Sequence, residues 1–269
     1  MTNDIAYANR DFIPAADDYV PGWERAAAAF RHAARDRGAL RTRRYGPAER
    51  QETDLFMPQG QPLGCAVFVH GGYWRAFDKS LWSHLAAGPL ARGWAVAMPS
   101  YTLAPHARIG QIGAEIADAI TDVAEAVEGP IALCGHSAGG QLVARMLCDP
   151  PLLAPRIAAR ILSCVPISPI GDLVPLMDTA MNADLRIDAE EAAAQSPARL
   201  ALGAAGIRIT VWVGAEERPA FLDQAAGLSQ AWAGAEAGLR IDPGRHHFDV
   251  MDGLENAGSP LVEALLGGL

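Results

Sequence analysis

The fold of this 269-residue chain is indicated most clearly by residues 131–143, which read Ile131-Ala132-Leu133-Cys134-Gly135-His136-Ser137-Ala138-Gly139-Gly140-Gln141-Leu142-Val143. Its first four residues are apolar, as in a buried strand, and a helical pattern runs from Gly140 to Cys148. Between them, the G-x-S-x-G motif predicts a tight turn in which Ser137 takes a strained conformation and small glycines let strand and helix approach. The alternative is a serine in an ordinary glycine-rich turn, but the flanking strand and helix favour an exposed nucleophile.

Short apolar runs bounded by turn residues recur on both sides of this stretch, at 65–69, 94–98, 161–167, 209–213 and 239–241. Continuous apolarity without alternation is typical of strands covered on both faces, as in a parallel sheet. Helical patterns separate these runs. The clearest one spans 109–127, where isoleucines and valines recur every three or four residues. The alternation predicts a doubly wound α/β sandwich with parallel crossovers.

Two segments depart from this alternation. The N-terminal segment, residues 1–38, is predicted to be helical, with an amphipathic helix at 23–37, and the stretches 41–46 and 53–58 then predict an antiparallel hairpin at the sheet edge. Residues 171–202 form a helical, acid-rich insertion after the 161–167 strand, where ligands bind in open α/β sheets, so we expect a lid there. No linker divides the chain, which predicts one domain over 1–269.

Composition and charge exclude several classes of protein. Hydrophobic residues make up 50% of the chain and charged residues 20%, which is typical of a folded globular protein. A net charge of −9 disfavours binding to nucleic acid or to anionic membranes.

No signal peptide or long apolar run is apparent, and Cys65, Cys134 and Cys164 lie in predicted strands as expected of free thiols, so we expect a cytoplasmic protein. The sequence leaves the oligomeric state open, and a homo-oligomer is compatible with it.

The strand at 65–69 ends in His70-Gly71-Gly72-Tyr73-Trp74. A glycine pair at this place in the chain matches the loop whose backbone N–H groups stabilise an oxyanion beside a G-x-S-x-G serine. The predicted donors are the N–H groups of Gly72, Tyr73 and Ala138. The alternative is a glycine turn without a function.

A nucleophilic serine needs a base, and in this architecture the base follows it in the chain. Only His246 and His247 follow Ser137, and their spacing does not choose between them. The other five histidines show no metal-ligand spacing, so neither a metal nor a cofactor is expected.

The carboxylate that orients the base should follow the penultimate strand. Glu216 and Glu217 stand there, and Asp223 and Asp242 are further candidates. Spacing alone does not separate the two glutamates.

These motifs together resemble the kynurenine formamidase (arylformamidase) branch of the α/β-hydrolases, which neighbours the hormone-sensitive-lipase-like esterases. The resemblance covers nearly the whole chain, and its pieces include HGGYWR (70–75), GHSAGGQ (135–141), VGAEERPAFLDQ (213–224) and PGRHHFDVMD (243–252). HGGYW in place of HGGG is the more specific of these, whereas many esterases share GHSAGG. It implies Ser137 as the nucleophile, His247 as the base and Glu217 as the acid, although the family often has Asp where Glu217 stands.

The resemblance also implies the α/β-hydrolase fold, a mostly parallel central sheet with helices on both faces and a small helical insertion. The implied activity is that of a serine hydrolase that acts on a small ester or amide through an acyl-enzyme, with an aryl formamide such as N-formylkynurenine as substrate and no cofactor. The alternatives are a promiscuous short-chain carboxylesterase and a hydrolase-fold protein that binds a ligand without turnover. Tyr73, Trp74 and Trp82 are candidates for an aromatic substrate-binding wall, or for the core.

Overall fold

The computed structural model describes residues 3–203, 206–235 and 237–268. In this part of the chain the strands form one sheet of eight, in the order β1-β2-β4-β3-β5-β6-β7-β8. The strands are β1 (Leu40–Arg44), β2 (Glu52–Phe56), β3 (Cys65–Val69), β4 (Ala95–Pro99), β5 (Ile131–His136), β6 (Ile161–Ile167), β7 (Arg208–Gly214) and β8 (Gly238–Asp242). Strand β2 runs antiparallel to both β1 and β4, and the remaining neighbours pair in parallel. The predicted α/β-hydrolase architecture is confirmed, including its antiparallel start.

Helices connect the strands. They are α1 (Asp4–Tyr7), α2 (Ala16–Asp36), α3 (Ala87–Ala91), α4 (Ile109–Ala126), α5 (Ala138–Arg145), α6 (Pro155–Ala158), α7 (Asn182–Leu185), α8 (Ala189–Gln195), α9 (Pro219–Ala231) and α10 (Pro260–Leu266). Single 3₁₀ turns add residues 10–12, 174–178, 197–199, 233–235 and 252–255, and a longer 3₁₀ segment covers 79–86. Helix α2 begins seven residues before the predicted start, because its first two turns are largely polar or exposed and carry no clear apolar stripe.

Two hydrophobic cores lie on the two faces of the sheet. Side chains alternate between the faces along a strand, so β3 sends Val67 and Val69 into one core and Ala66 and Phe68 into the other. Helices α4, α5 and α9 close the first core, whereas α2, the 79–86 segment and α10 close the second. This double coverage is the reason why the strand sequences are continuously apolar.

Strands β4 and β5 lie on opposite sides of β3, so the order in which strands join the sheet changes direction there. From β3 the chain crosses to β4 on one side, and it then returns to form β5 on the other side. Residue Val69, at the end of β3, pairs with Gly135 near the end of β5. The loop that begins at His70 and the turn that carries Ser137 therefore meet at one crevice, the usual ligand site of open α/β sheets.

All four cysteines are buried free thiols. Within the residues that the structure describes, none of the helices combines the length and the apolarity needed to cross a membrane.

Candidate active site

Ser137 occupies a strained turn between β5 and α5, with φ 56° and ψ −115°. The turn is possible because its glycines carry no side chain: a Cβ on Gly139 would lie 2.0 Å from the carbonyl oxygen of Val69. The Ser137 N–H donates to the carbonyl of Ile167, 2.8 Å away at the end of β6. Neighbouring strand ends thus hold the serine at the carboxyl edge of the sheet.

His247 and Glu217 form a buried pair after the last two strands. His247 Nδ1 lies 2.6 Å from Glu217 Oε2, and both side chains are buried. The His247 ring is packed between His136 and Phe221, with ring centroids 4.6 Å and 4.3 Å away. A carboxylate at Nδ1 fixes the tautomer in which Nε2 is free to accept a proton.

The second oxygen of Glu217 is also held in place. Glu217 Oε1 accepts hydrogen bonds from the Gly214 N–H, at 3.0 Å, and from the hydroxyl of Ser168. Ser168 follows β6, is fully buried and has a φ of 47°. Ser168 could not be predicted from the sequence, because a single serine after an apolar strand carries no signal of a partner 49 residues away.

The structure separates the alternatives that spacing left open. His246 points away from Glu217, with its Nε2 atom 3.0 Å from the hydroxyl of Tyr19 and its Nδ1 atom 3.2 Å from Asp249 Oδ1. Glu216 and Asp223 are exposed, and no hydrogen bond joins either of them, or Asp242, to His247 in the described chain. The geometry therefore brings together Glu217 and His247, the pair that the resemblance implies.

The predicted oxyanion donors lie on the loop after β3 and at the start of α5. Gly72 and Tyr73 both have positive φ, at 104° and 50°, and both line the same cavity as Ser137. Within the described residues, the N–H groups of Gly72, Tyr73 and Ala138 donate to no protein acceptor. Free N–H groups at this place are what an oxyanion requires.

The residue before these glycines anchors the loop. His70 Nδ1 donates to the Gly71 carbonyl at 2.8 Å, and the Tyr101 hydroxyl donates to the His70 carbonyl at 3.0 Å. Complete burial lowers the pKa of His70 to about 4, so its ring is neutral at pH 7. Burial also holds the pKa of His136 well below its usual value. Neutral rings thus flank the candidate site.

One cavity of about 500 Å³ contains the candidate site. Ser137 and His247 both line it, although no hydrogen bond joins Ser137 Oγ to His247 among the described residues; in substrate-free active sites such bonds are often long and tighten on binding. Aromatic side chains form one wall of the cavity, namely Trp23, Phe77, Trp82 and Phe248.

The N-terminal segment forms another wall of this cavity, with residues 7–11, whereas the predicted lid segment 171–202 contributes Met181. The Tyr73 hydroxyl donates to the Tyr7 carbonyl at 2.7 Å, and Gln224 Nε2 donates to the Tyr7 hydroxyl at 2.8 Å. These bonds fasten the segment over the site. The sequence predicts a helix here but gives no sign of this contact.

Trp74 corrects one expectation. Its side chain is fully buried in the core, its Nε1 atom donates to Gln141 Oε1 at 3.2 Å, and it does not line the cavity. The cause is the backbone conformation. Because both Tyr73 and Trp74 have positive φ, the chain turns there and the two neighbouring side chains point in different directions. Tyr73 and Trp82 do line the cavity. No group of three or more His, Cys, Asp or Glu residues that could hold a metal ion occurs in the described part of the chain.

Comparisons with known proteins show which family this chain resembles. The model of the alpha/beta hydrolase family matches residues 66–267. A kynurenine formamidase of Salmo salar is 27% identical over 237 residues, which cover 82% of this chain and 79% of the relative. A crystal structure from Silicibacter sp. TM1040, for which a thioesterase activity has been suggested, has 50% identity and a TM-score of 0.93, with 98% and 99% of the two chains covered. An esterase of Pyrobaculum calidifontis shares the fold at 18% identity, with a TM-score of 0.65 over 92% of this chain and 90% of its own.

Proposed function

This chain belongs to the alpha/beta hydrolase family, and from that premise we propose that it is a serine hydrolase with Ser137 as nucleophile, His247 as base and Glu217 as acid. One observation carries the proposal: the hydrogen bond of 2.6 Å between His247 Nδ1 and Glu217 Oε2, in a cavity that the strained Ser137 also lines. A nucleophile, a base and a carboxylate that orients the base are the parts that covalent acyl transfer needs.

In the proposed mechanism the Ser137 oxygen attacks the substrate carbonyl and its proton passes to His247 Nε2. Glu217 stabilises the imidazolium, and the N–H groups of Gly72, Tyr73 and Ala138 donate hydrogen bonds to the developing oxyanion. His247 then gives the proton to the departing amine or alcohol, which leaves an acyl-enzyme. Water attacks this intermediate by the same route and regenerates Ser137.

The substrate that we propose is an aryl formamide such as N-formylkynurenine. The aromatic wall supports it, because Trp23, Trp82 and Phe248 offer ring faces and edges to an aryl leaving group. The similarity to kynurenine formamidases supports it too. A formyl group needs little space on the acyl side, so we expect formyl and acetyl compounds to react much faster than hexanoyl and longer ones.

A short-chain carboxylesterase or thioesterase is the second candidate. The observation in its favour is the relative from Silicibacter, which is much more similar to this chain than the formamidases are. The same residues would catalyse all three reactions, so only the leaving group distinguishes them. A protein that binds a ligand without turnover is a third candidate, and the buried pair of His247 and Glu217 beside Ser137 supports hydrolysis over it.

The test compares kcat/KM for N-formylkynurenine, p-nitrophenyl acetate and an acetyl thioester, each with the wild type and with Ser137→Ala. Ser137→Ala should remove turnover by on the order of 10⁶-fold on every substrate, with an unchanged melting temperature. A variant that keeps more than a few per cent of the wild-type rate would overturn the serine mechanism. A preference for the thioester, or faster turnover of p-nitrophenyl hexanoate than of the acetate in the same assay, would reject the formamidase assignment and keep the mechanism.

A further inference from the structure

A second cavity lies beside the one that contains Ser137. It also measures about 500 Å³ and lies between α2 and the segment at 78–81. The two cavities share only Val20 and Phe77 among their lining residues. These two side chains therefore form the partition between them.

The backbone at Phe77 is fixed. Its carbonyl accepts a hydrogen bond from Arg50 Nη2 at 2.6 Å, and the next residue, Asp78, accepts from the Ser100 hydroxyl at 2.7 Å and from the Ser80 N–H at 2.9 Å. The φ of Phe77 is 73°, a conformation that bulky residues seldom adopt. These hydrogen bonds keep the backbone of Phe77 in this strained conformation and so place the phenyl ring at the partition.

The side chain of Phe77 is held more loosely than its backbone. Its ring meets Trp23 and Trp82 edge-on, with centroids 6.5 Å and 5.8 Å away, and 37% of the residue is exposed. Rotation of a partly exposed ring about its side-chain bonds requires no change in a packed core. The partition can therefore open while the loop that carries Gly72 and Tyr73 stays in place.

We infer that the second cavity is a continuation of the substrate site and binds the distal part of an extended substrate when the Phe77 ring turns aside. This inference rests on the proposed function in taking the Ser137 cavity as the substrate site. The walls of the second cavity are partly apolar, with Val20, Ala27 and Leu81, and partly charged, with Glu24, Arg31 and Asp78. The occupant that fits them is an apolar chain that carries a polar group.

The inference predicts how affinity depends on chain length. We propose to titrate the wild type and Phe77→Ala with 4-ethylaniline and 4-octylaniline, and to follow the fluorescence of the tryptophans, two of which contact Phe77. A buried methylene strengthens binding about fourfold. Burial of only two more carbons in Phe77→Ala should therefore raise the affinity for 4-octylaniline at least tenfold relative to 4-ethylaniline.

A second substitution identifies the space that the chain enters. Ala28 is exposed on α2 and lines only the second cavity, so Ala28→Trp should fill that cavity without touching the first. Alone it should weaken only the binding of 4-octylaniline, and in the Phe77→Ala background it should lower the affinity ratio to that of Ala28→Trp alone. Phe12→Ala is the control, because this exposed phenylalanine lines neither cavity.

Three results would overturn the inference: an unchanged ratio in Phe77→Ala, a raised ratio that Ala28→Trp does not reverse, or no binding of either aniline. Because the readout is binding, it does not depend on turnover. Loss of the serine mechanism would appear in the hydrolysis assay and leave these titrations unaffected, so the two proposals can fail separately.

Discussion

The carboxylate of Glu217 joins the ends of three neighbouring strands. One oxygen contacts His247 after β8, and the other accepts from Gly214 at the end of β7 and from Ser168 after β6. A buried carboxylate without partners would be costly, and these donors satisfy it. Its orientation is therefore fixed before a substrate arrives, which is what an orienting acid has to provide.

Replacing this carboxylate by an amide should reveal its role. In Glu217→Gln the amide can donate to Nδ1, which favours the wrong tautomer of His247, and such a loss costs about 10⁴-fold in kcat in serine proteases. We expect a fall of about 10³- to 10⁴-fold in kcat, measured with p-nitrophenyl acetate. The neighbouring Glu216→Gln is the control and should stay within a few-fold of the wild type, because Glu216 is exposed. If the two variants behaved in the opposite way, Glu217 would not be the acid.

Ser168 is a positioning residue, and Ser168→Ala should lower kcat by about tenfold with little change in KM, because one hydrogen bond contributes on the order of 1 kcal/mol. Without this donor, less of the negative charge on the Glu217 carboxylate is shared with hydrogen-bond donors. The acid limb of the kcat/KM profile should therefore move to higher pH. Ser163→Ala is the matched control: it removes a buried hydroxyl from β6, the strand that Ser168 follows, where the hydroxyl donates to the Leu265 carbonyl. Equal effects from both variants, with no movement of the pH profile, would reduce Ser168 to a structural role.

At the scale of single residues, the sequence predicts what a motif fixes locally. The strained turn at Ser137 could be predicted from the neighbouring glycines, because only residues without a side chain permit its close contacts. Ser168 and the position of Trp74 could not be predicted, because one depends on a partner 49 residues away and the other on two positive φ angles. The choice between Glu216 and Glu217 likewise needed a resemblance or a structure.

At the scale of elements, the strands were the most predictable part. Each buried strand between β3 and β7 begins and ends within two residues of its predicted bounds, because a strand covered on both faces leaves an uninterrupted apolar run in the sequence. The contact between the N-terminal segment and the cavity was not predictable. The polar residues of this segment are typical of a solvent-exposed helix. Only the folded structure shows that Asn3 and Asp4 form hydrogen bonds with the 174–182 region.

A chain that begins at Ile13 tests the role of this N-terminal wall. It lacks Tyr7 and Asn9, which close one side of the cavity, so substrate binding energy is lost and water enters. We expect KM to rise about 10- to 100-fold and kcat to fall by less, with the rest of the fold retained. The control is Ile5→Ala in the full chain, because Ile5 is exposed and does not line the cavity. An unchanged KM would show that the wall does not contact the substrate.

At the scale of the whole molecule, the fold buries three histidines in a neutral state. Burial lowers the pKa of His70 and His84 to about 4 each and holds that of His136 well below its usual value. They lie after β3, in the 79–86 segment and at the end of β5, so no single element accounts for them. In the unfolded chain each would take up a proton near the ordinary value of about 6.5.

This difference predicts the pH dependence of stability. At these three histidines the unfolded chain binds more protons than the folded one between pH 6.5 and 4, so the stability that they contribute is fully present above pH 6.5 and falls as the pH drops towards 4. Burial raises the pKa of Asp252 to about 7, and this carboxyl opposes the histidines over the same range, so the net fall is smaller than the three histidines alone would give. Each histidine contributes up to about 1.4 kcal/mol per pH unit to this slope. Urea unfolding at half-unit steps measures it. His84→Gln should reduce the slope by the share of one histidine, since His84 Nδ1 has no hydrogen-bond partner among the described residues.

His32→Gln is the control for this measurement, because it removes an imidazole that is exposed in the folded chain. A stability that stays flat between pH 6.5 and 4, or a slope that His84→Gln leaves unchanged, would contradict the burial of neutral imidazoles. The slope also separates two sources of acid sensitivity. A loss of activity that precedes unfolding would arise at the candidate site, whereas a loss that parallels unfolding would arise from the buried rings on both sides of it.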